Sequence, residues 1–296
     1  MKILLTGACG LLGRAVRHCC NGAHELVLLD TAGAVVQAGG AQTSVTDIEA
    51  VLDVARGCEA IIHTAAMHGA FYGKASNAEF LRVNVLGAEN IFQAALRHGI
   101  RRLVLSSTLE VLCGRDWAAY GTAVLDEALP PRPDWIYPVS KLMVEELSRF
   151  YAVHHGLEVV NLRYCGLHDK PLEELGFGLL ARNLPATDAA HANLLAATRP
   201  GLRNEVFNIA PDTPLTQQDS NDAVQGKDLW AILQRHWPGC GEILRARGLE
   251  PKPRFFWPVS RIDKAQLILD WQPEATFETF LRSLGWSGAP KPPLNT

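Results

Sequence analysis

The sequence predicts an α/β fold in which a parallel β-sheet is covered by helices on both faces. Three observations carry that prediction. Short apolar runs alternate along the chain with longer stretches of helical periodicity, the pattern of strand and crossover helix. The runs are continuously apolar, as strands buried on both faces are. The first run passes straight into a glycine-spaced turn and a helix, in MKILLTGACGLLG. At 296 residues, 48% hydrophobic and 20% charged, the chain can bury a sizeable core.

Taken in order, residues 3–6, 25–29, 60–64, 103–107 and 159–163 read as short buried strands. Residues 10–20, 48–56, 78–98 and 140–155 carry apolar side chains at helical spacing between them. Regularity weakens after Gly166, where 189–197 reads as a helix and 205–209 as a further strand. The tail 288–296, with three prolines, reads as a loose end.

Composition excludes several classes of function. Lys and Arg number 28 against 31 Asp and Glu, a net charge of -3, and no basic block offers a footprint for a nucleic-acid backbone. No run reaches the roughly 18 apolar residues of a membrane span, and the start lacks the apolar core of a secretion signal. The seven cysteines, Cys9, Cys19, Cys20, Cys58, Cys113, Cys165 and Cys240, are odd in number and show no paired metal spacing. Reduced thiols in a cytoplasm, with no metal site, are the expectation.

The opening turn is spaced Gly7-x-x-Gly10-x-x-Gly13. Glycines at a strand-to-helix turn allow tight dihedrals and let a pyrophosphate rest on the free N–H groups of the helix start. Such a turn can also merely connect two elements. Asp30 closes the second predicted strand about 20 residues on, where a carboxylate accepts hydrogen bonds from an adenosine ribose and repels a 2'-phosphate. No Arg follows it in DTAGAVV, so NAD is favoured over NADP. A solvated strand end is the plainer alternative for Asp30.

In WIYPVSKLMVEEL, Tyr137 and Lys141 are four apart and share a helix face. A neighbouring ammonium favours the phenolate, so Lys141 is expected to tune Tyr137 toward the form that takes a proton. Pro138 is tolerated in the first turn. Chance alone also produces Tyr and Lys at this spacing. Ser106, Ser107 and Thr108 crowd the carboxyl end of a central strand, the edge where open α/β sheets hold ligands, although hydroxyls there also serve loops and helix caps.

Together TGACGLLG, Asp30, HTAA at 63–66, VNVLGAENI at 83–91, SST at 106–108, YPVSK at 137–141 and LRYCG at 162–166 resemble the extended short-chain dehydrogenase/reductase family, in its NAD-dependent epimerase/dehydratase group. FNIAP at 207–211 and SRIDKAQLILDWQP at 260–273 are similar to its closing segments. The resemblance implies a Rossmann-type, doubly wound parallel sheet with a small C-terminal substrate-capping domain. Residues 1–166 would form the dinucleotide-binding domain, with 186–212 returning to it, and 167–185 with 213–296 the smaller domain. It implies Thr108, Tyr137 and Lys141 as catalytic residues. Its cofactor set is Gly7, Cys9, Gly10, Leu11, Leu12 and Gly13 under the pyrophosphate, Asp30 on the ribose, Asp47 and Ile48 by the adenine, and Thr64, Ala65, Ala66 and Ser106 along the cofactor. Asn84 and Tyr164 would support the nicotinamide end beside Tyr137 and Lys141. Dimers through the two long helices are the family habit.

Departures from the family pattern narrow the chemistry. The dehydratase Asp-Glu pair after the catalytic Thr is replaced by Leu109 and Glu110, which argues against elimination of water. The usual Tyr-Gly beyond this loop is replaced by Leu112, Cys113 and Gly114. The stretch between Tyr164 and Asp188 is too short for a nucleotide-diphosphate segment, pointing to a small sugar, sugar acid or polyol, as in compact uronate-dehydrogenase-like members. His68, Thr108, Glu110 and Arg182 are the candidate substrate contacts, each of the charged ones having a structural alternative. An NAD-dependent dehydrogenase is the leading reading, with a nucleotide-sugar epimerase and a non-catalytic dinucleotide sensor as alternatives.

Overall fold

A computed structural model describes residues 1–113 and 124–288. Gly114 and the tail beyond Gly288 lie outside the described residues. Strands are numbered β1 (Lys2–Thr6), β2 (Glu25–Asp30), β3 (Ala41–Gln42), β4 (Ala60–His63), β5 (Arg102–Thr108), β6 (Val124–Leu125), β7 (Glu158–Tyr164), β8 (Gly166–His168), β9 (Asn183–Pro185), β10 (Glu205–Ile209) and β11 (Val259–Ser260). Seven of them form one parallel sheet in the order β10-β7-β5-β4-β1-β2-β3. This is the Rossmann-type, doubly wound arrangement, whose order reverses between β1 and β4.

The continuous apolar reading of the strands follows from their two covered faces. Ile3, Leu5, Ile62, Val104 and Leu162 point to one side, packing with Leu12, Val16 and the alanines of the helix Ala186–Thr198. Leu4, Ile61, Leu103, Leu105 and Val159 point to the other, against Val51, Ile91, Phe92, Val144 and Tyr151. A third cluster, built on Phe177, Trp237, Phe256, Phe277, Phe280 and Trp286, is formed by residues 175–181 and 215–286.

Two helices differ from expectation. The stretch read as one helix over 78–98 is Asn77–Phe80, a π-helical Leu81–Leu86 and then Gly87–His98. The wider turn holds Asn84, which is buried and hydrogen-bonds outward to other elements, and π turns recur at functional sites. The helix read as 140–155 starts earlier, at Ile136, with extended Trp135 ahead of it and Pro138 inside the first turn. Strands β3, β6, β8, β9 and β11 are two or three residues long, too short for an alternation signal.

Candidate active site

Every strand of the central sheet that carries a candidate residue delivers it at its carboxyl end, because parallel strands all finish on one edge. A cavity of about 990 Å³ opens along that edge. It is lined from the glycine turn and Asp30 at one end to Tyr137, Tyr164 and Arg182 at the other.

The turn after β1 is held in a shape that only glycine fits. Gly7 has φ +70°, and a Cβ there would stand 2.6 Å from the backbone nitrogen of Ala65. A Cβ on Gly13 would come within 2.1 Å of the Gly7 carbonyl oxygen, so the helix Leu11–Cys20 lies flush against the turn. Gly10 precedes that helix with no side-chain cap, leaving the first-turn N–H groups of Leu11, Leu12 and Gly13 as unpaired donors. The opposite wall is tied on by Thr64 Oγ1, which donates to the Thr6 carbonyl at 2.8 Å, and by Ala65 N–H, which donates to Thr6 Oγ1. The Asp30 carboxylate accepts from Cys9 N–H at 2.8 Å and from Ala32 N–H at 2.9 Å, and it lines the cavity. Backbone approached this closely, bare helix N–H groups and a carboxylate at the next strand tip fit a dinucleotide diphosphate and ribose.

At the far end, Thr108 finishes β5 with its hydroxyl near the Tyr137 phenol of the helix Ile136–His155, and both line the cavity. Lys141 lies one turn on, buried, and lines the same cavity. Tyr137 was expected to be tuned by Lys141. In this state burial dominates instead: it pushes the phenol above its ordinary value, the Glu110 carboxylate adds to the rise, and the neighbouring Thr108 hydroxyl opposes it. A phenolate in a closed pocket loses more hydration than the nearby charge returns. Burial also pushes the Lys141 ammonium down, to about 8, against the pull of Glu145.

Asn84 does not reach the cavity. Its amide nitrogen donates to Ser140 Oγ at 2.8 Å and to the Met67 carbonyl, and its oxygen accepts from Met67 N–H. Ser140 Oγ donates in turn to the Tyr137 carbonyl, so Asn84 links the wall at Met67 to the start of the helix Ile136–His155. Asp47 and Ile48 also lie off the cavity: Asp47 caps the helix Ile48–Val54 through Ala50 N–H, and Thr43, Ser44 and Val45 form the wall instead. Cys9, Ala66, Ser106 and Tyr164 line it, Tyr164 accepting from Asn193 at 2.7 Å. His68, Glu110 and Arg182 come together at the Tyr137 end. Glu110 accepts from Trp135 Nε1 at 2.8 Å, and its negative charge acts on Arg182.

Sequence reasoning missed Glu145, Arg163, Ser140, Asn193 and the cavity-lining Arg82, His168 and Asn183. The i, i+4 spacing of Lys141 and Glu145 is the one visible signal for this set. The others are brought in from separate elements.

Residues 3–168 match the NAD dependent epimerase/dehydratase family. A uronate dehydrogenase of Pseudomonas putida is 30% identical over 179 residues, covering 57% of this chain and 62% of that protein. A 2-alkyl-3-oxoalkanoate reductase of Stenotrophomonas maltophilia is 34% identical, covering 98% of this chain and 100% of that protein. The solved uronate dehydrogenase from Agrobacterium tumefaciens has the same fold, with a TM-score of 0.67 at 22% identity over 99% of this chain and 92% of that one. The aligned region thus spans about three fifths of the curated uronate dehydrogenase. With the family matched over more than half its length, the chain belongs to the NAD dependent epimerase/dehydratase family of extended short-chain dehydrogenases/reductases.

Proposed function

We propose that the protein is an NAD-dependent dehydrogenase acting on a hydroxyl of a small sugar, sugar acid or polyol. The observation that carries this reading is the placement of Thr108, Tyr137 and Lys141 on the wall of the cavity that also contains the glycine turn and Asp30. Gly7, Cys9, Gly10, Leu11, Leu12 and Gly13 would hold the pyrophosphate and Asp30 the ribose, with Thr64, Ala65, Ala66, Ser106 and Tyr164 along the nicotinamide half. When bound, the nicotinamide supplies a hydride acceptor. The chain's own work is proton transfer and placement. The positive charge of Lys141 would favour loss of the buried Tyr137 proton to solvent before the step; the phenolate Oη would then take the hydroxyl proton, with Thr108 Oγ1 donating to the same oxygen as it becomes a carbonyl.

Arg182, beside Glu110 at this end of the cavity, suits the carboxylate of a sugar acid, with His68 as a further contact. A uronate dehydrogenase among the 30% identical relatives supports that substrate class. A second reading runs the same step backwards, as reduction of a small oxo acid, and rests on the reductase that matches almost the whole chain.

We assign residues 1–166 and 186–212 to dinucleotide binding and 167–185 with 213–296 to the substrate side. Strand β10 joins the main sheet, whereas 175–181 and 215–286 share a separate core. Met143, Phe150 and Val153 are exposed on one face of the catalytic helix, which supports a homodimer formed by that helix and its neighbour Gly87–His98. No helix among the described residues is long and apolar enough to cross a membrane, and all seven cysteines are free thiols, which supports a cytoplasmic setting.

The test is a panel of sugars, sugar acids, polyols and 3-oxo acids, followed by absorbance of reduced nicotinamide. Accumulation of NADH with a sugar acid supports the dehydrogenase, and consumption of NADH with an oxo acid supports the reverse. Tightly retained NAD with no net reduction favours an epimerase. Tyr137→Phe should cut turnover by about 10²-fold or more with NAD binding kept; no change in any property would favour a sensor.

A further inference from the structure

Beneath the proposed catalytic pair lies a charged cluster that the reaction as described does not use. Glu145 follows Lys141 by one helical turn on the same face. Its carboxylate is buried and faces strands β5 and β7. Ser107 Oγ donates to Glu145 Oε1 at 2.6 Å, Arg163 Nε donates to the same oxygen at 2.9 Å, and Arg163 Nη2 donates to Oε2 at 2.6 Å. Ser107 and Arg163 are direct partners across the β5–β7 ladder, so the clamp is built on two adjacent strands of the central sheet. Arg163 is itself buried and spends both bonded nitrogens on Glu145.

A buried ion pair is a weak source of stability, because desolvating two charges offsets their attraction and apolar replacements often fold as well. The placement has a second consequence that an apolar pair would not have. Arg163, Glu145 and Lys141 alternate in sign from the sheet toward the cavity, with Glu145 one helical turn from the buried Lys141 on the same face and favouring its charge. We propose that Glu145, clamped by Arg163 and Ser107, is a positioning residue for proton transfer, holding Lys141 charged and in place beneath Tyr137.

The other groups facing Lys141 do not supply this charge. His63 on β4 is fully desolvated, is held near 3 by burial and by Lys141, and is therefore neutral. His68 is pushed down by the same two causes. Tyr137 is held protonated by burial. Glu145 is the acidic group that acts on Lys141, and it opposes the effect of burial.

The inference rests on the proposed oxidoreductase reading, but its test does not require a known substrate. Carbamylation of Lys141 by cyanate, followed by peptide mass spectrometry between about pH 6 and 10, reports the protonation midpoint of that lysine in the purified chain. Two variants have opposite expected signs. Glu145→Gln/Arg163→Met removes both charges and should lower the Lys141 midpoint by about one unit, a tenfold loss of the charged form. Arg163→Met alone leaves Glu145 opposite Lys141 and should raise it. With a substrate in hand, the alkaline limb of the rate profile should move the same way in each. A purely scaffolding pair would change the amount of folded protein and leave the midpoint where it was; an unmoved midpoint in either folded variant overturns the proposal. Failure of the wild-type chain to oxidise or reduce anything in the panel would instead overturn the functional reading, leaving the lysine titration to decide this one.

Discussion

The backbone N–H of Cys9 donates to Asp30 Oδ2 at 2.8 Å, joining the glycine turn after β1 to the tip of β2. A single carboxylate thus braces the glycine turn and lines the cavity, so under the proposed function it would shape the phosphate cradle and face the ribose together.

Asp30→Ala should therefore weaken NAD by about 10- to 100-fold, the worth of hydrogen bonds to a charged acceptor. NADP should lose less, because removing the carboxylate also removes repulsion of the 2'-phosphate. Calorimetric titration with both cofactors checks this, and an equal loss for both would undo the preference for NAD.

Gly13→Ala and Gly10→Ala should separate folding from binding. At Gly13 the new methyl meets the Gly7 carbonyl at 2.1 Å, so the turn must shift, and a loss of about 1–3 kcal/mol in stability is expected. At Gly10 the nearest atom, the Gly7 carbonyl oxygen, is 3.2 Å away and the residue lines the cavity, so the loss of stability should be smaller than at Gly13 while NAD affinity falls. Urea unfolding with and without NAD reads both.

Lys141→Met should abolish turnover and raise stability at neutral pH. The folded chain holds this ammonium near 8, below its ordinary value of 10.5, so folding favours the neutral form. Its contribution is fully present only above about 10.5 and is lost as pH falls through 8, so at pH 7 the wild type bears the cost of a buried charge. A gain of about 1–3 kcal/mol for the variant is expected from thermal or urea unfolding, with no gain at pH 10.5. An active variant would remove Lys141 from the proposed mechanism.

His63 should make the fold acid-sensitive. Its Nδ1 lies 2.7 Å from Thr6 Oγ1, and burial with Lys141 nearby holds it near 3 instead of 6.5. The stability this depressed value represents is present above 6.5 and is lost as pH falls toward 3. His63→Asn should flatten the fall in unfolding free energy between pH 6.5 and 4.5 by about 2 kcal/mol. A curve as steep as the wild type's would assign the acid sensitivity to the carboxylates.

Much of the fold was legible because it rests on local patterns. Six of the seven sheet strands are apolar runs, in five of which adjacent residues enter opposite cores, and only β3, two residues long, leaves no such trace. The π-helical turn at Leu81–Leu86 was not legible, since its helical spacing is nearly that of an α-helix and the bonds Asn84 makes from it, to Met67 and Ser140, reach other elements.

By itself the sequence determined the strand-turn-helix at Gly7 to Gly13, the carboxylate at Asp30 and the one-turn spacing of Tyr137 and Lys141, because short-range geometry dictates each. Only the tertiary structure decided that Thr108 meets Tyr137, that Glu145 is clamped by Arg163 and Ser107, and that Asp47 turns to its own helix and leaves the cavity wall to Thr43, Ser44 and Val45. The physical reason is sequence separation: those partners lie on different elements, and no local periodicity encodes which strand edge a helix will cross or how much water the crossing will exclude.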